Sequence, residues 1–210
     1  MSIIYIICQS YILDSLFLGC EYMKIVLASA SERRVELLGR LIKDFDIIVS
    51  DFDEHKVLFE GSVDRYVKDI ALGKALHVKK KLNEDAIIIA ADTIVTLDNK
   101  ILGKPEDEED AFNMIKSLQG RKHLVYSGIV VMNTARNVIK QECLATEVNF
   151  SAMSDDEILE YIKTGEPLDK AGAYGIQGIG GIFVTEIKGC YYNVVGLPLN
   201  KLRSMLNEVQ

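Results

Sequence analysis

Chemistry in this chain gathers first around Asp92. It sits in the run Ala86-Ile87-Ile88-Ile89-Ala90-Ala91-Asp92-Thr93-Ile94-Val95, where small and β-branched apolar residues climb into a carboxylate and a hydroxyl. Such a run suits a strand buried on both faces. An ionised Asp inside it costs several kcal/mol unless a metal, a cation or another partner offsets the loss of water. Taken alone, Asp92 reads as a strand end that meets solvent, so its weight depends on what else the chain brings to it.

The chain offers several such groups. Arg33 and Arg34 fall in the first turn of an expected helix, just after the small polar turn Ser29-Ala30-Ser31. Cations are disfavoured there by the helix dipole, but beside free N–H groups they make an anion cradle. Asp51-Phe52-Asp53-Glu54 puts three carboxylates in four residues, which is either a solvated loop or part of what a hard divalent cation needs. Lys104 follows Gly103, which reads as a point of close backbone approach, and Lys170 follows Asp169 at the head of a glycine-rich stretch. That stretch, Gly172 to Gly181, has five glycines in ten residues and carries Gln177. It is neither a Walker A loop, lacking Gly-Lys-Ser/Thr, nor a dinucleotide fingerprint, since no helix is expected behind it. Together these cations can grip a polyphosphate while Glu54 and Asp92 hold a divalent metal or activate a water. That chemistry is phosphoanhydride hydrolysis.

The chain has 210 residues, 49% hydrophobic and 26% charged, in the range of a globular protein with a sizeable core. A formal net charge of −7 argues against a nucleic-acid or anionic-membrane binder. Cys8, Cys20, Cys143 and Cys190, with His55, His77 and His123, show neither zinc-like spacing nor a disulfide framework, and a cytoplasmic location is expected. Residues 1–22 lack Lys and Arg and are interrupted by Gln9, Ser10, Asp14 and Ser15. They read as an N-terminal extension rather than a signal peptide or membrane span, with a single domain over 23–210.

The elements that must position these groups follow from periodicity. Lys24–Ala28 reads as a strand, Glu32 to about Lys43 as a helix capped by Ser31, and Phe45–Ser50 as a second strand. Ser62 to about Leu82 is the longest expected helix. Lys74 lies on its apolar stripe, and on pattern alone its ammonium is expected to snorkel out of a core edge. Pro105 is expected to open a helix reaching Leu118, and His123–Met132 with Val138–Phe150 to form a hairpin. Ser154-Asp155-Asp156-Glu157 matches a capping box. Strands at Ile182–Ile187 and Tyr191–Val195 and a helix over Leu197–Leu206 complete the reading.

Four separated segments carry a resemblance. Leu27-Ala28-Ser29-Ala30-Ser31-Glu32-Arg33-Arg34-Val35-Glu36-Leu37-Leu38, Ala91-Asp92-Thr93-Ile94-Val95, Gly103-Lys104-Pro105 and Asp169-Lys170-Ala171-Gly172-Ala173-Tyr174-Gly175-Ile176-Gln177-Gly178 stand in the order of the Maf family's signatures. From Met23 onward the chain resembles these septum-formation-inhibitor-like nucleotide pyrophosphatases. The resemblance implies an α/β, ITPase-like, two-lobed fold around a long mixed β-sheet with flanking helices and an active-site cleft between the lobes. It implies cleavage of nucleoside triphosphates between the α and β phosphates, with a divalent cation, Mg or Mn. Asp92 would be the proton acceptor and Glu54 its companion, both also metal ligands. Ser29, Arg34, Lys74, Lys104 and Lys170 form the candidate phosphate-binding set.

Substrate choice in the family is read at positions that here are Arg33, Thr93 and Gln177, and these residues resemble the dTTP/UTP branch rather than the 7-methyl-GTP branch. The resemblance also admits a homodimer, and a division regulator that binds nucleotide without turnover. One departure is Glu32, which stands where the family usually has Pro and adds a negative charge beside the proposed phosphate site.

Overall fold

The computed structural model describes residues 23–209, so the extension expected at 1–22 lies outside the described residues. A seven-stranded mixed sheet organises the chain. Its strands are β1 (Lys24–Leu27), β2 (Asp46–Ile47), β3 (Ala86–Leu97), β4 (Lys100–Leu102), β5 (Lys122–Asn133), β6 (Val138–Phe150) and β7 (Val184–Lys188). The order is β2-β1-β3-β5-β6-β7, with β4 on the β1 side of β3. β1 runs parallel to β2 and β3, and the rest pair antiparallel.

Two long strands, β3 and β5, thread separate apolar cores. On one face Ile87, Ile89 and Ala91 pack with α1 (Glu32–Gly39) and α6 (Leu199–Val209). Farther along that face, Val95 and Leu97 pack with α3 (Glu108–Leu118) and α4 (Asp155–Lys163). On the opposite face Ile88 and Ala90 pack under α2 (Val63–Lys81). Side chains alternate faces along a strand, so Thr93 falls between the first two cores and Asp92 lies just beyond the third. The two-lobed α/β arrangement is therefore written into where the apolar alternation of β3 is interrupted.

The sheet edge is interrupted at the same place. β1 pairing ends at Leu27↔Ile89, and β4 pairing reaches no farther back than Leu102↔Val95. Residues 90–94 of β3 are thus laddered on one side only, to β5. The opening lies beyond the carboxyl end of β1, where open α/β sheets take their ligands. Among the described residues, no helix is long and apolar enough to cross a membrane.

Several local expectations need correction. The second strand shrinks to Asp46–Ile47, because its partner β1 ends at Leu27 and offers nothing beyond the Leu27 O that accepts from Ile48 N–H at 3.1 Å. α1 stops at Gly39, and Ser31 sits at its N-cap without a side-chain cap bond. α3 starts at Glu108 with Asp107 as N-cap, so Pro105 precedes the helix rather than opening it. The strand expected from Ile182 begins at Val184, and the last helix is Leu199–Val209. Tyr191–Val195 is a short helix, α5, not a strand. Its β-branched and aromatic residues mimic strand composition, but tertiary hydrogen bonds through Asn193 hold it helical.

Candidate active site

A cleft of about 1040 Å³ opens at the interrupted edge of β3, large enough for a nucleotide. Asp92 lies mid-strand within it, only 7% exposed, so it is not a strand end. Lys74 Nζ donates to Asp92 Oδ1 at 2.7 Å and contacts Glu54 Oε1 at 2.7 Å. The lysine side chain is 14% exposed and its ammonium points into the cleft, which corrects the expectation that it snorkels outward. Two carboxylates outweigh bulk water for an ammonium at this depth.

The two glycines that allow this contact lie outside the chemistry. Gly128 stands opposite Asp92 in β5, and a Cβ there would come 2.6 Å from Val67 O of α2. A Cβ on Gly73 would come 2.3 Å from the Phe52 ring. The first lets α2 settle close to the sheet, and the second lets the Phe52 segment lie on α2 with Glu54 beside Lys74. Gly103 behaves otherwise: a Cβ there would meet nothing within 4 Å, so the expected close approach is absent, although Gly103 O accepts from Gly172 N–H.

Arg34 is held on the other face of the sheet. Its Nε donates to Gly196 O at 3.0 Å, Nη1 to Ser29 Oγ at 3.4 Å and Nη2 to Thr93 Oγ1 at 3.0 Å. Three of the five guanidinium donors are used, leaving two for an anion. Thr93 Oγ1 also meets Ser127 Oγ at 2.8 Å, and Ser127 Oγ donates to Asn193 O at 2.9 Å. Since the Ser127 proton goes to that carbonyl, Thr93 must donate to Ser127 and accept from Arg34. The chain of donors thus runs one way from guanidinium to backbone. Burial lowers the Arg34 pKa and Arg33 lowers it further, while Asp92 and Glu54 oppose the shift.

Arg33 Nη1 reaches Asp169 Oδ2 at 3.9 Å, and Lys170 Nζ donates to Asp169 Oδ1 at 2.5 Å and to Glu166 O at 2.9 Å. Lys104 and Gln177 are exposed and line the same cleft. Every expected site residue therefore borders one opening: Ser29, Arg33, Arg34, Glu54, Lys74, Asp92, Thr93, Lys104, Lys170 and Gln177. Five Lys and Arg face four carboxylates there, a local positive balance in an acidic chain.

The sequence profile of the Maf-like protein family matches residues 24–209. The chain belongs to the Maf family. A curated relative from Clostridium beijerinckii, named dTTP/UTP pyrophosphatase, is 80% identical over 188 residues, which are 90% of this chain and 100% of that protein. A Clostridium novyi protein of the same name is 58% identical over 187 residues, 89% of this chain and 98% of its own length. Among solved structures, a Ham1 protein from Coxiella burnetii covers 89% of this chain and 99% of its own at 17% identity and a TM-score of 0.48.

In this Maf chain, sequence reasoning missed Ser127, Asn193 and Gly196 behind Arg34, and Tyr161 and Glu166 behind the glycine-rich stretch. None belongs to a short motif with the residue it supports. Glu166, immediately before Pro167 and three residues before Asp169, offered the one available signal: an acidic residue introducing a run whose glycines need something to fold around.

Proposed function

We propose that this protein is a nucleoside triphosphate pyrophosphatase that hydrolyses dTTP and UTP between the α and β phosphates, in the cytoplasm where these nucleotides are held. The observation that carries the reading is the pairing of Asp92 and Glu54 on one ammonium, inside a cleft where Arg33, Arg34, Lys104 and Lys170 also gather. The curated relatives named dTTP/UTP pyrophosphatase support the choice of substrate.

In this reading Asp92 takes the proton of the attacking water. Lys74 occupies one of its oxygens and leaves the other for that water. The water oxygen bonds to the α-phosphorus as the bond from that phosphorus to the bridging oxygen breaks, giving the monophosphate and pyrophosphate. Arg34, with its two remaining donors, and Lys74, Lys104 and Lys170 hold the phosphate oxygens and stabilise the charge that shifts to the leaving group. Gln177 and Arg33 border the base end. Thr93 contributes to substrate choice through Arg34, because its hydroxyl is committed to Arg34 and Ser127.

The site fits a divalent cation. Lys74 Nζ draws Glu54 and Asp92 together by one oxygen of each at 2.7 Å, so the second oxygen of each carboxylate is the one that would share the cation and its water. Among the described residues, no three His, Cys, Asp or Glu gather as a metal group. Two carboxylates completed by phosphate and water suit Mg²⁺ or Mn²⁺. Bound there, the cation would neutralise phosphate charge and polarise the phosphoryl group.

The test is release of pyrophosphate across dTTP, UTP, CTP, GTP and 7-methyl-GTP. Turnover of dTTP and UTP above the others is expected. Preference for 7-methyl-GTP, or no pyrophosphate from any of the five, would overturn the assignment.

A further inference from the structure

The glycine-rich stretch that carries Gln177 runs between two short 3-10 turns, Ala171–Ala173 and Ile179–Phe183. From Gly175 to Gly181 the backbone makes two turn contacts at 3.2 Å, Gly178 N–H to Gly175 O and Gly181 N–H to Gly178 O. A carboxylate stands at its centre. Glu166 Oε2 accepts from Ile179 N–H at 2.8 Å, and Oε1 accepts from Gly180 N–H at 3.0 Å and from the Tyr161 hydroxyl at 2.8 Å. The same hydroxyl accepts from Gly175 N–H at 3.2 Å. Residues on both sides of Gln177 are therefore tied, directly or through one phenol, to a single side chain.

The glycines fit this arrangement. A Cβ on Gly178 would come 2.2 Å from Glu166 Oε2, and one on Gly180 would come 2.4 Å from the Tyr161 hydroxyl. Any other residue at Gly178 would force the carboxylate and this backbone apart. Tyr161 itself is anchored in the core of its lobe, 3% exposed and edge-on to Phe183 at 5.3 Å. The backbone carbonyl of Glu166 holds Lys170, which in turn holds Asp169 opposite Arg33. Glu166 is not among the residues that line the cleft, and it reaches the cleft through its neighbours there, Lys170, Gly175 and Gly178.

We propose that Glu166 is a specificity-positioning residue: its carboxylate is the template on which the backbone flanking Gln177 closes, and it acts on substrate choice only through Gln177. The inference rests on the nucleotide pyrophosphatase reading and on Gln177 facing the base. Charge-assisted bonds to peptide N–H groups outweigh neutral ones. Glu166→Gln keeps the side-chain size but replaces one acceptor oxygen with an NH₂ group. That group would face an N–H donor, so at least one of the three contacts must be lost.

The experiment compares wild type, Glu166→Gln, Gln177→Ala and the double variant, measuring kcat and KM for dTTP and CTP, with amide exchange read across residues 175–181. Glu166→Gln should raise KM for dTTP by about tenfold, the loss expected for one charge-assisted hydrogen bond, and should narrow the dTTP-over-CTP preference. kcat should stay within about twofold, and the Ile179 and Gly180 amides should exchange faster. In the Gln177→Ala background the same change should add less than about twofold, because residues acting as a unit are non-additive. Unchanged KM and exchange, a loss confined to kcat, or full additivity with Gln177→Ala would each overturn the inference. A wild type that releases no pyrophosphate from dTTP would instead overturn the underlying functional reading, and the specificity role with it.

Discussion

Lys74, Asp92 and Glu54 do not contribute equally, and burial decides the difference. Asp92 and Lys74 are both withdrawn from water, whereas the Glu54 side chain is 50% exposed. Asp92→Asn leaves Lys74 still paired to Glu54, so the fold should hold while turnover is lost. Lys74→Met strands the Asp92 carboxylate without its cation, and breaking a pair at this depth costs about 3 kcal/mol. Urea midpoints should therefore separate the two: unchanged within error for Asp92→Asn, clearly lowered for Lys74→Met, with both inactive in pyrophosphate release. Equal midpoints would mean that Lys74 does not stabilise Asp92. The contrast also marks what was legible at this scale. The Asp92 run and the Arg pair could be read from residue type and local context, and Gln177 through the family resemblance, but the direction of Lys74 could not. A lysine on an apolar stripe can leave the core either way, and only the two carboxylates arriving from distant segments fix it.

Elements whose partners are local were readable, and those stabilised from outside were not. The β5–β6 hairpin follows from alternation, and the α4 capping box from four adjacent residues. α5 is the opposite case, five residues whose composition favours a strand. Asn193 Nδ2 donates to Val125 O at 2.9 Å and to Thr146 Oγ1 at 3.0 Å, and Gly196 ends the helix in a left-handed conformation at φ 119°. That carbonyl of Gly196 receives Arg34 Nε, so the helix sets where the guanidinium sits. Asn193→Leu should strip the buried Val125 carbonyl of this donor and cost about 2 kcal/mol. It should also raise KM for dTTP through Arg34, and in denaturation and kinetics the two losses should appear together. A stability loss with unchanged KM would show that α5 does not position Arg34.

Across the whole molecule the two lobes rest on cores of different polarity, and acid should reach them differently. The core beside the glycine-rich stretch contains His123, 3% exposed, with Nε2 2.7 Å from the Tyr174 hydroxyl and edge-on to Phe150 at 5.1 Å. Burial pushes its pKa down to about 4 from the usual 6.5. The unfolded chain thus binds this proton as pH falls through 6.5, while the folded chain refuses it until about pH 4. Stability from this group is complete above 6.5 and drains away between those values, by about 2.5 kcal/mol from roughly pH 7 to 4.5. Carboxylates behave with the opposite protonation but the same direction of loss. Burial raises the Glu166 pKa, but the N–H groups of Gly180 and Ile179 and the Tyr161 hydroxyl outweigh it and leave the group below its ordinary value. Its contribution persists above the ordinary carboxylate range and fails only at lower pH. His123→Gln retains a hydrogen-bonding partner for Tyr174 but cannot be protonated in this range. Urea unfolding of this variant should lose most of the slope between about pH 6.5 and 4.5 while keeping the steeper fall below it. If the variant keeps the wild-type slope, the acid sensitivity lies elsewhere, and this lobe is not where the molecule first yields to acid.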